Sequence, residues 1–423
     1  MHLMPITSSS RVAATPTSAL PWKPLIALAS AVFLSITIEM IPMGLLPEMS
    51  ADLGVGEPLV GLLVSVFAFA VVVTSAPLTA LTRRMPRRTL LTAVLVLLGL
   101  TSIASALVPE YWMLVAVRVL GGVAHGVFWA LVGAYPARLV AHGQLGRAVS
   151  TVLGGGTIAL IAGVPTSTAL GQALGWRPVF ALVGVLTLAG ALVVRAVLPT
   201  DAAAPAAIRP ATGSTAAIRV SEAGGMAAVL AVCVVTAVVM IGQYAALTYV
   251  APILTDVVGA APEAVAPLLF ASGLAGAAGL VVAGSPIARN SVRALVVAMT
   301  AIAIALVVMA AEPGLWPAVI AYTAWGFAFG AVPPLLQTRL LQAAPPERRD
   351  AASALYTTAF NIGIGGGALL GGLLFGAFGV GAVPLAYAVM LVAASVIVVV
   401  SSTRAAAGRA RVAAATGSIT PSA

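Results

Sequence analysis

Runs of about twenty apolar residues, each the length at which an α-helix crosses a bilayer's hydrocarbon, alternate along the chain with short polar breaks. They predict twelve helices, at 24–46, 59–81, 89–108, 111–134, 148–170, 177–195, 226–250, 264–283, 293–311, 314–336, 351–376 and 382–401. Many of these contain Gly and Pro, which membrane helices tolerate because neighbouring helices re-satisfy the freed backbone groups. The Ser/Thr/Pro-rich start, residues 1–23, and the end, 402–423, read as disordered tails on the same side. The longest polar stretch, 196–225, holds Pro199, Pro205, Pro210 and Gly213 and reads as a linker between two six-helix halves, 24–195 and 226–401. The expected fold class is therefore an all-α membrane protein of twelve transmembrane helices in two pseudo-symmetric halves.

The charges between helices test this assignment. Nineteen of the 21 basic residues fall on the side shared by the tails and the even-to-odd connections, leaving Arg177 opposite and Arg118 within a span. Glu48, Asp52, Glu57, Glu110, Asp256, Glu263 and Glu312 all fall on the other side. Basic residues flanking spans stay cytoplasmic, so the pattern requires an even number of spans with both termini in the cytoplasm of a cell inner-membrane protein. The halves also echo each other: the basic turn Arg83 to Arg88 matches Arg289 to Arg293, and Arg147-Ala148 matches Arg349-Asp350. Two related halves around a midplane site are the usual plan of a secondary transporter.

Composition narrows the chemistry. With 61% hydrophobic and 8% charged residues, the chain differs from soluble domains, where about a quarter of residues are charged. The formal charge of +9 then marks topology, and nucleic acid is not an expected partner. The one lysine, Lys23, lies in Pro21-Trp22-Lys23-Pro24, so no phosphate loop ending in Gly-Lys-Ser/Thr can be drawn. His2, His125 and His142 are scattered without a His-Glu-x-x-His spacing, and Cys233 stands alone. No cofactor, metal or enzymatic activity is expected. A membrane-embedded transferase would need clustered acids or His/Asp pairs, and a sensor or scaffold would need larger soluble parts.

Four stretches carry a family resemblance. Arg84-Met85-Pro86-Arg87-Arg88 resembles the Arg-x-Gly-Arg-Arg turn of the major facilitator superfamily; the expected upstream Gly and Asp fall on Thr79 and Arg83, and the turn Gly falls on Pro86. Arg118-Val119-Leu120-Gly121-Gly122 resembles the fourth-helix motif of the same superfamily. Its continuation Ala124-His125-Gly126-Val127-Phe128-Trp129 is similar to arabinose-efflux and chloramphenicol-resistance exporters. Gly163-Val164-Pro165, with Gly171-Gln172-Ala173-Leu174-Gly175-Trp176-Arg177, resembles that subgroup's antiporter motif. Ile38-Glu39-Met40 before Gly44-Leu45-Leu46-Pro47 resembles its acid-bearing first helix. The resemblance implies the major facilitator fold, the twelve-helix drug:proton antiporter branch, and a proton-coupling role for Arg118. It also gives a gating or motif role to Arg84, Arg87, Arg88, Gly163 and Pro165.

Glu39 is the one carboxylate well inside a span, where a charge is costly and functional by default. It is the candidate proton carrier, against the alternative of a water-exposed acid near the outer mouth. Arg118 keeps its charge under nearly any condition, so it can influence a neighbour but not carry the proton. At 1.5 Å per residue both lie about 10 Å below the outer helix ends, a depth that permits a pair. The alternative makes Arg118 a structural tie to backbone carbonyls freed by neighbouring glycines. Arg118, Gly122, His125 and Trp129 fall within one narrow stripe at about 100° per residue, which suits a cavity wall. In the second half Tyr322, Gly326, Phe329 and Pro333 repeat that stripe, and Gln243, Tyr244, Trp325, Tyr356 and Asn361 add sparse polar groups. His125, Trp129, Gln243, Tyr244, Tyr322, Phe329 and Asn361 are the candidate substrate ligands, each also able to serve only in packing. An aromatic face with few hydrogen-bonding groups suits a small, fairly apolar organic molecule. The expected activity is monomeric, proton-coupled export of such a compound by alternating access. The alternative is a proton-coupled importer or facilitator of a sugar or nucleoside.

Overall fold

The computed structural model describes residues 20–133, 135–141, 144–199, 222–312, 314–345 and 348–417. Within them lie twelve helices able to cross a membrane: α1 Trp22–Gly44, α2 Glu57–Arg84, α3 Arg87–Leu107, α4 Tyr111–Val132, α5 Leu145–Leu174 and α6 Trp176–Val197, then α7 Met226–Thr248, α8 Pro262–Ala283, α9 Ser291–Ala310, α10 Leu315–Ala343, α11 Leu355–Phe378 and α12 Ala382–Thr403. All twelve expected helices are present. Most ends fall within three residues of the expectation, the helix that carries α11 beginning at Arg349, and the exceptions are the C-terminal ends of α5 and α10. The chain is a multi-pass membrane protein, apolar on its outer faces, where Val73, Leu107, Val281 and Val389 are exposed.

The final helix continues without a break from Ala382 to Gly417. Residues 402–417, expected as part of a disordered tail, are thus helical. Ala and Arg are among the strongest helix formers, and they fill this stretch. The helix leading into α7 likewise begins at Glu222, inside the expected linker. The remainder of the expected tails and linker, 1–19, 200–221 and 418–423, lies outside the described residues.

Helix contacts follow a two-fold plan. In the first half α3 packs on α6 and α4, α2 on α4, and α1 on α5 and α6; in the second, α9 packs on α12 and α10, α8 on α10, and α7 on α11 and α12. The halves meet through α2 with α11 and α5 with α8, which are equivalent pairs. The turns obey the same repeat. Gly175 between α5 and α6 and Gly379 between α11 and α12 both have φ above +80° and stand 204 residues apart, a left-handed backbone that favours glycine.

Close approach depends on absent side chains. A Cβ on Gly155 of α5 would strike the Ala29 carbonyl of α1, one on Gly279 of α8 the Phe327 carbonyl of α10, and one on Gly330 of α10 the Gly276 carbonyl of α8. Small residues at such crossings are how helices associate in lipid, where no hydrophobic force drives them together. Within α5, Pro165 has no N–H to give the helix, and the preceding turn, Ala159–Gly163, widens to a π-helix. That wide turn faces α1, where a Cβ on Gly163 would collide with Thr37 Oγ1.

The two ends of the bundle differ. At the end carrying the acidic connections, fully buried Tyr249 is wedged between the halves. Its hydroxyl lies 3.2 Å from the Ala368 carbonyl and 3.4 Å from that of Pro58, and its ring meets Phe375 edge-on. Gly61 of α2 and Gly371 and Gly372 of α11 make room for it. Gln172 adds a bond to the Pro262 carbonyl across the α5–α8 seam. Glu48, in the short helix Leu46–Leu53, is held above the usual carboxylate range by burial, which outweighs hydrogen bonds from its own backbone and Gln172. Among the described residues the one basic side chain at this end, Arg177, is tied to Asp52 at 3.0 Å and to the Val108 carbonyl just after α3. The basic end is parted instead.

Gly61→Val would displace Tyr249 and loosen the acidic end. In a Cys233→Ala background, a cysteine placed at Met40 should react with a bulky thiol reagent applied from the acidic side faster in this variant than without it. Equal labelling with and without the Gly61 substitution would contradict the wedge.

Candidate transport cavity

A cavity of about 1040 Å³ lies between the halves. α1 contributes Ile36, Glu39 and Met40, α2 the face Val71, Val72, Ser75, Ala76 and Thr79, α4 His125 and Trp129, α5 Leu160, α7 Tyr244, and α11 Tyr356, Phe360, Asn361 and Ile364. It runs toward the basic end, where Arg83 and Arg87 flank the mouth. The wall is mostly apolar and aromatic, with a few polar groups and one carboxyl.

That carboxyl belongs to Glu39, a buried residue on α1. Three residues later, Pro42 sits inside the same helix. A proline removes the N–H that the carbonyl four residues earlier would accept, so the Ile38 carbonyl has no partner within α1. Arg118, also buried, supplies one: its guanidinium donates to the carbonyls of Ile38 and Glu39, both at 3.1 Å, and lies over the Phe67 ring at 4.2 Å. Gly121 and Gly122 make this possible, because a Cβ on Gly122 would meet the Phe67 carbonyl and so push α4 off α2. In place of the pair that equal depth permits between the Arg118 guanidinium and the Glu39 carboxylate, the cation is bonded to the backbone of the acid-bearing helix. The freed carbonyl comes from Pro42, not from neighbouring glycines.

The Glu39 carboxyl turns to His125 instead. Oε2 is 3.3 Å from Nε2. The same Nε2 is 2.6 Å from the indole Nε1 of Trp129, and Nδ1 is 2.9 Å from Ser35 Oγ. The Phe67 ring closes the far side of the imidazole at 5.1 Å, edge-on. Ser35 and Glu39 are one helical turn apart on α1, as His125 and Trp129 are on α4, so two i, i+4 pairs on facing helices build the cluster.

The other expected ligands divide. Tyr244 and Asn361 line the cavity with His125 and Trp129; Tyr244 packs edge-on against Phe360, and Asn361 Nδ2 donates to the Thr357 carbonyl. Gln243, Tyr322 and Phe329, expected on the wall, are not on it. Gln243 is buried, its Oε1 accepting from Trp325 Nε1 and Tyr387 Oη at 2.9 Å each, so its carbonyl is satisfied inside the second half. Tyr322 is buried with its ring against Trp325, and Phe329 packs on the core. Among the motif residues, Arg87 lies at the mouth, Arg84 is exposed, and Arg88 donates to the Arg195 carbonyl at the end of α6. Gly163 and Pro165 are buried at the α1–α5 crossing. Ser35, Ser75 and Phe360 were not singled out from the sequence; the i, i+4 spacing of Ser35 before Glu39 was the available signal for the first.

Arg118→Lys keeps a charge but cannot span two carbonyls in a fork. It should lower thermal stability in detergent by about 1.5–3 kcal/mol, the worth of a charge-assisted hydrogen bond. Pro42→Ala restores an N–H to the Ile38 carbonyl. The Arg118→Lys loss should therefore shrink by about 1 kcal/mol in that background, whereas strict additivity in the double-mutant cycle would show that the proline and the arginine are not coupled.

Comparison with known proteins agrees with this architecture. The chain is 34% identical over 389 residues to a chloramphenicol efflux pump of Mycobacterium tuberculosis, found alike in the CDC 1551 and H37Rv strains, covering 88% of this chain and 91% of the relative. Among solved structures it resembles a D-xylose–proton symporter (TM-score 0.73, 16% identity, 90% of this chain and 97% of that one). It also resembles a bacterial homologue of the human lysosomal transporter Spinster in an inward-facing, occupied conformation (TM-score 0.69, 17% identity, 90% of this chain and 96% of that one). These likenesses show the fold. The profile of the Major Facilitator Superfamily matches residues 28–339 and 232–421, and with twelve membrane helices in two equivalent halves the chain belongs to that superfamily.

Proposed function

We propose that this transporter exports a small, fairly apolar organic compound in exchange for protons by alternating access. The observation that carries this reading is the Glu39 carboxyl. It is buried, it lines the cavity between the halves, and it faces a titratable imidazole instead of being neutralised by the nearby guanidinium. An acid so placed is out of bulk water yet reachable through the cavity, which is what a proton carrier in a membrane requires. Arg118 acts as a positioning residue. By holding the Ile38 and Glu39 carbonyls it keeps the Pro42-bearing part of α1, and with it the carboxyl, at the cavity wall.

The positive-inside pattern supports placing both termini and the Arg83–Arg88 turn in the cytoplasm. The conformation seen is then inward-facing, open to cytoplasmic substrate at Arg83 and Arg87 and closed outside by Tyr249. Trp129, Tyr244 and Phe360 supply aromatic surface for an apolar body, while Ser75, Thr79 and Asn361 supply hydrogen-bonding groups. That balance suits a drug-like molecule better than a sugar, whose many hydroxyls need a more polar wall. The efflux relatives in Mycobacterium tuberculosis support chloramphenicol as the first compound to try. Protons entering down their gradient would load Glu39 from outside and leave it inside.

In proteoliposomes with an imposed pH gradient, wild-type protein should drive chloramphenicol uphill, and Glu39→Gln should reduce gradient-driven transport to the level of empty vesicles while inserting normally. Wild-type rates in Glu39→Gln would end the proton-carrier assignment. Counterflow of sugars or nucleosides in place of drug would end the substrate assignment.

A further inference from the structure

Three groups converge on one nitrogen. His125 Nε2 lies 2.6 Å from the Trp129 indole nitrogen and 3.3 Å from Glu39 Oε2. An indole N–H can only donate, and an imidazole nitrogen either donates one hydrogen or accepts at one lone pair. The short Trp129 bond therefore requires a bare Nε2, which puts the imidazole hydrogen on Nδ1, where it donates to Ser35 Oγ at 2.9 Å. In that tautomer an ionised Glu39 would set oxygen lone pairs against a nitrogen lone pair in a buried site. A protonated Glu39 instead points its O–H at Nε2 and shares the acceptor. These distances fit a proton-loaded carboxyl with the indole held.

We propose that Trp129 reads the proton on Glu39: loss of that proton moves the imidazole hydrogen to Nε2, releases the indole N–H into the cavity, and offers it to a neutral substrate that carries an acceptor oxygen beside an apolar body. The steps balance. Glu39 Oε2 hands its proton to Nε2, and the imidazolium so formed gives up its Nδ1 hydrogen to the cavity, which both residues line, so that one proton in all leaves the cluster. The carboxylate then takes a hydrogen bond from His125, now protonated on Nε2 in place of Nδ1, and Ser35 reverses its hydroxyl to donate to the bare Nδ1. Two N–H groups cannot face each other, so the indole must leave. Trp129 already lines the cavity and is only partly buried, so it has room to turn. Substrate is bound by the deprotonated form and dismissed when a proton returns, which is the competition that exchange demands. This inference rests on the proton-carrier reading of Glu39 and adds a residue that couples it to the substrate.

The other charged or titratable groups around the cluster are few. Arg118 from α4 bonds the α1 backbone, Tyr244 from α7 and Tyr356 from α11 line the cavity, and Arg83 and Arg87 stand at its mouth. None of them touches Nε2, and His125 and Glu39 are the pair whose proton state the indole senses.

The full-length protein in nanodiscs, labelled with ¹⁵N at its indoles, gives a direct readout. The Trp129 resonance, assigned by its loss in Trp129→Phe, should move from a strongly hydrogen-bonded shift to a freer one in a single one-proton step as pH rises. Trp325, bonded to uncharged Gln243, should stay still and serves as reference. In Glu39→Gln the Trp129 signal should not titrate. Chloramphenicol affinity should fall with acidification by up to about tenfold per pH unit in wild type and by less than about twofold in Trp129→Phe, which keeps an aromatic ring but no N–H. A Trp129 resonance that is fixed across the range, or that titrates equally in Glu39→Gln, overturns the inference, as does a wild-type pH profile in Trp129→Phe. If Glu39→Gln abolishes gradient-driven transport while the Trp129 signal stays fixed, this inference alone fails. Wild-type gradient-driven transport in Glu39→Gln would remove the reading beneath it as well.

Discussion

A guanidinium buried in the membrane and bonded to main chain is the constraint around which the first half is built. Arg118 has to be satisfied in hydrocarbon, and α1 has a carbonyl left open by Pro42. Each defect answers the other. The bond brings α4 against α1, the glycines beside Arg118 bring α4 against α2, and Phe67 covers the cation from that side. Because the arginine is occupied with backbone, the Glu39 carboxyl is left for His125, and the cavity acquires an acid that is not already neutralised. A conventional ion pair at the same depth would have given a more inert wall.

The second half shows what the same frame does without charge. At the 204-residue offset that relates the Gly175 and Gly379 turns, Glu39 corresponds to Gln243 and Arg118 to Tyr322. There the polar groups close on themselves: Gln243 takes hydrogen bonds from Trp325 and Tyr387, and Tyr322 stacks edge-on against Trp325. An amide can be satisfied by neutral donors and buried for good, whereas a carboxyl changes its hydrogen-bonding sense with its proton. The symmetric scaffold thus carries an asymmetric interior, one side titratable and the other fixed. The seams between the halves are lined with glycine, and the Tyr249 wedge closes them at one end.

Much of the architecture was legible in the residue pattern. Apolar runs of spanning length located all twelve helices, and the clustering of Arg in the even-to-odd connections matched one end of the bundle, with Arg177 at the other end tied to Asp52. Glu39 stood out because a lone acid in an apolar run has few neutral explanations. The 402–417 stretch was misjudged because its polarity suggested a tail, while its alanines carry it on as helix. Gln243 and Tyr322 were misplaced because helical spacing tells which residues share a face but not which neighbour that face meets.

Helix number, order, two-fold repeat and charge sidedness follow from local composition, since a bilayer imposes its thickness on every span independently of the others. Partner choice does not. Whether Arg118 meets a carboxylate or a carbonyl, which ring nitrogen of His125 is shared, and whether an aromatic faces a cavity or a core depend on ångström-scale placements between helices distant in sequence. Hydrogen bonds discriminate on that scale, and only the packed bundle sets it.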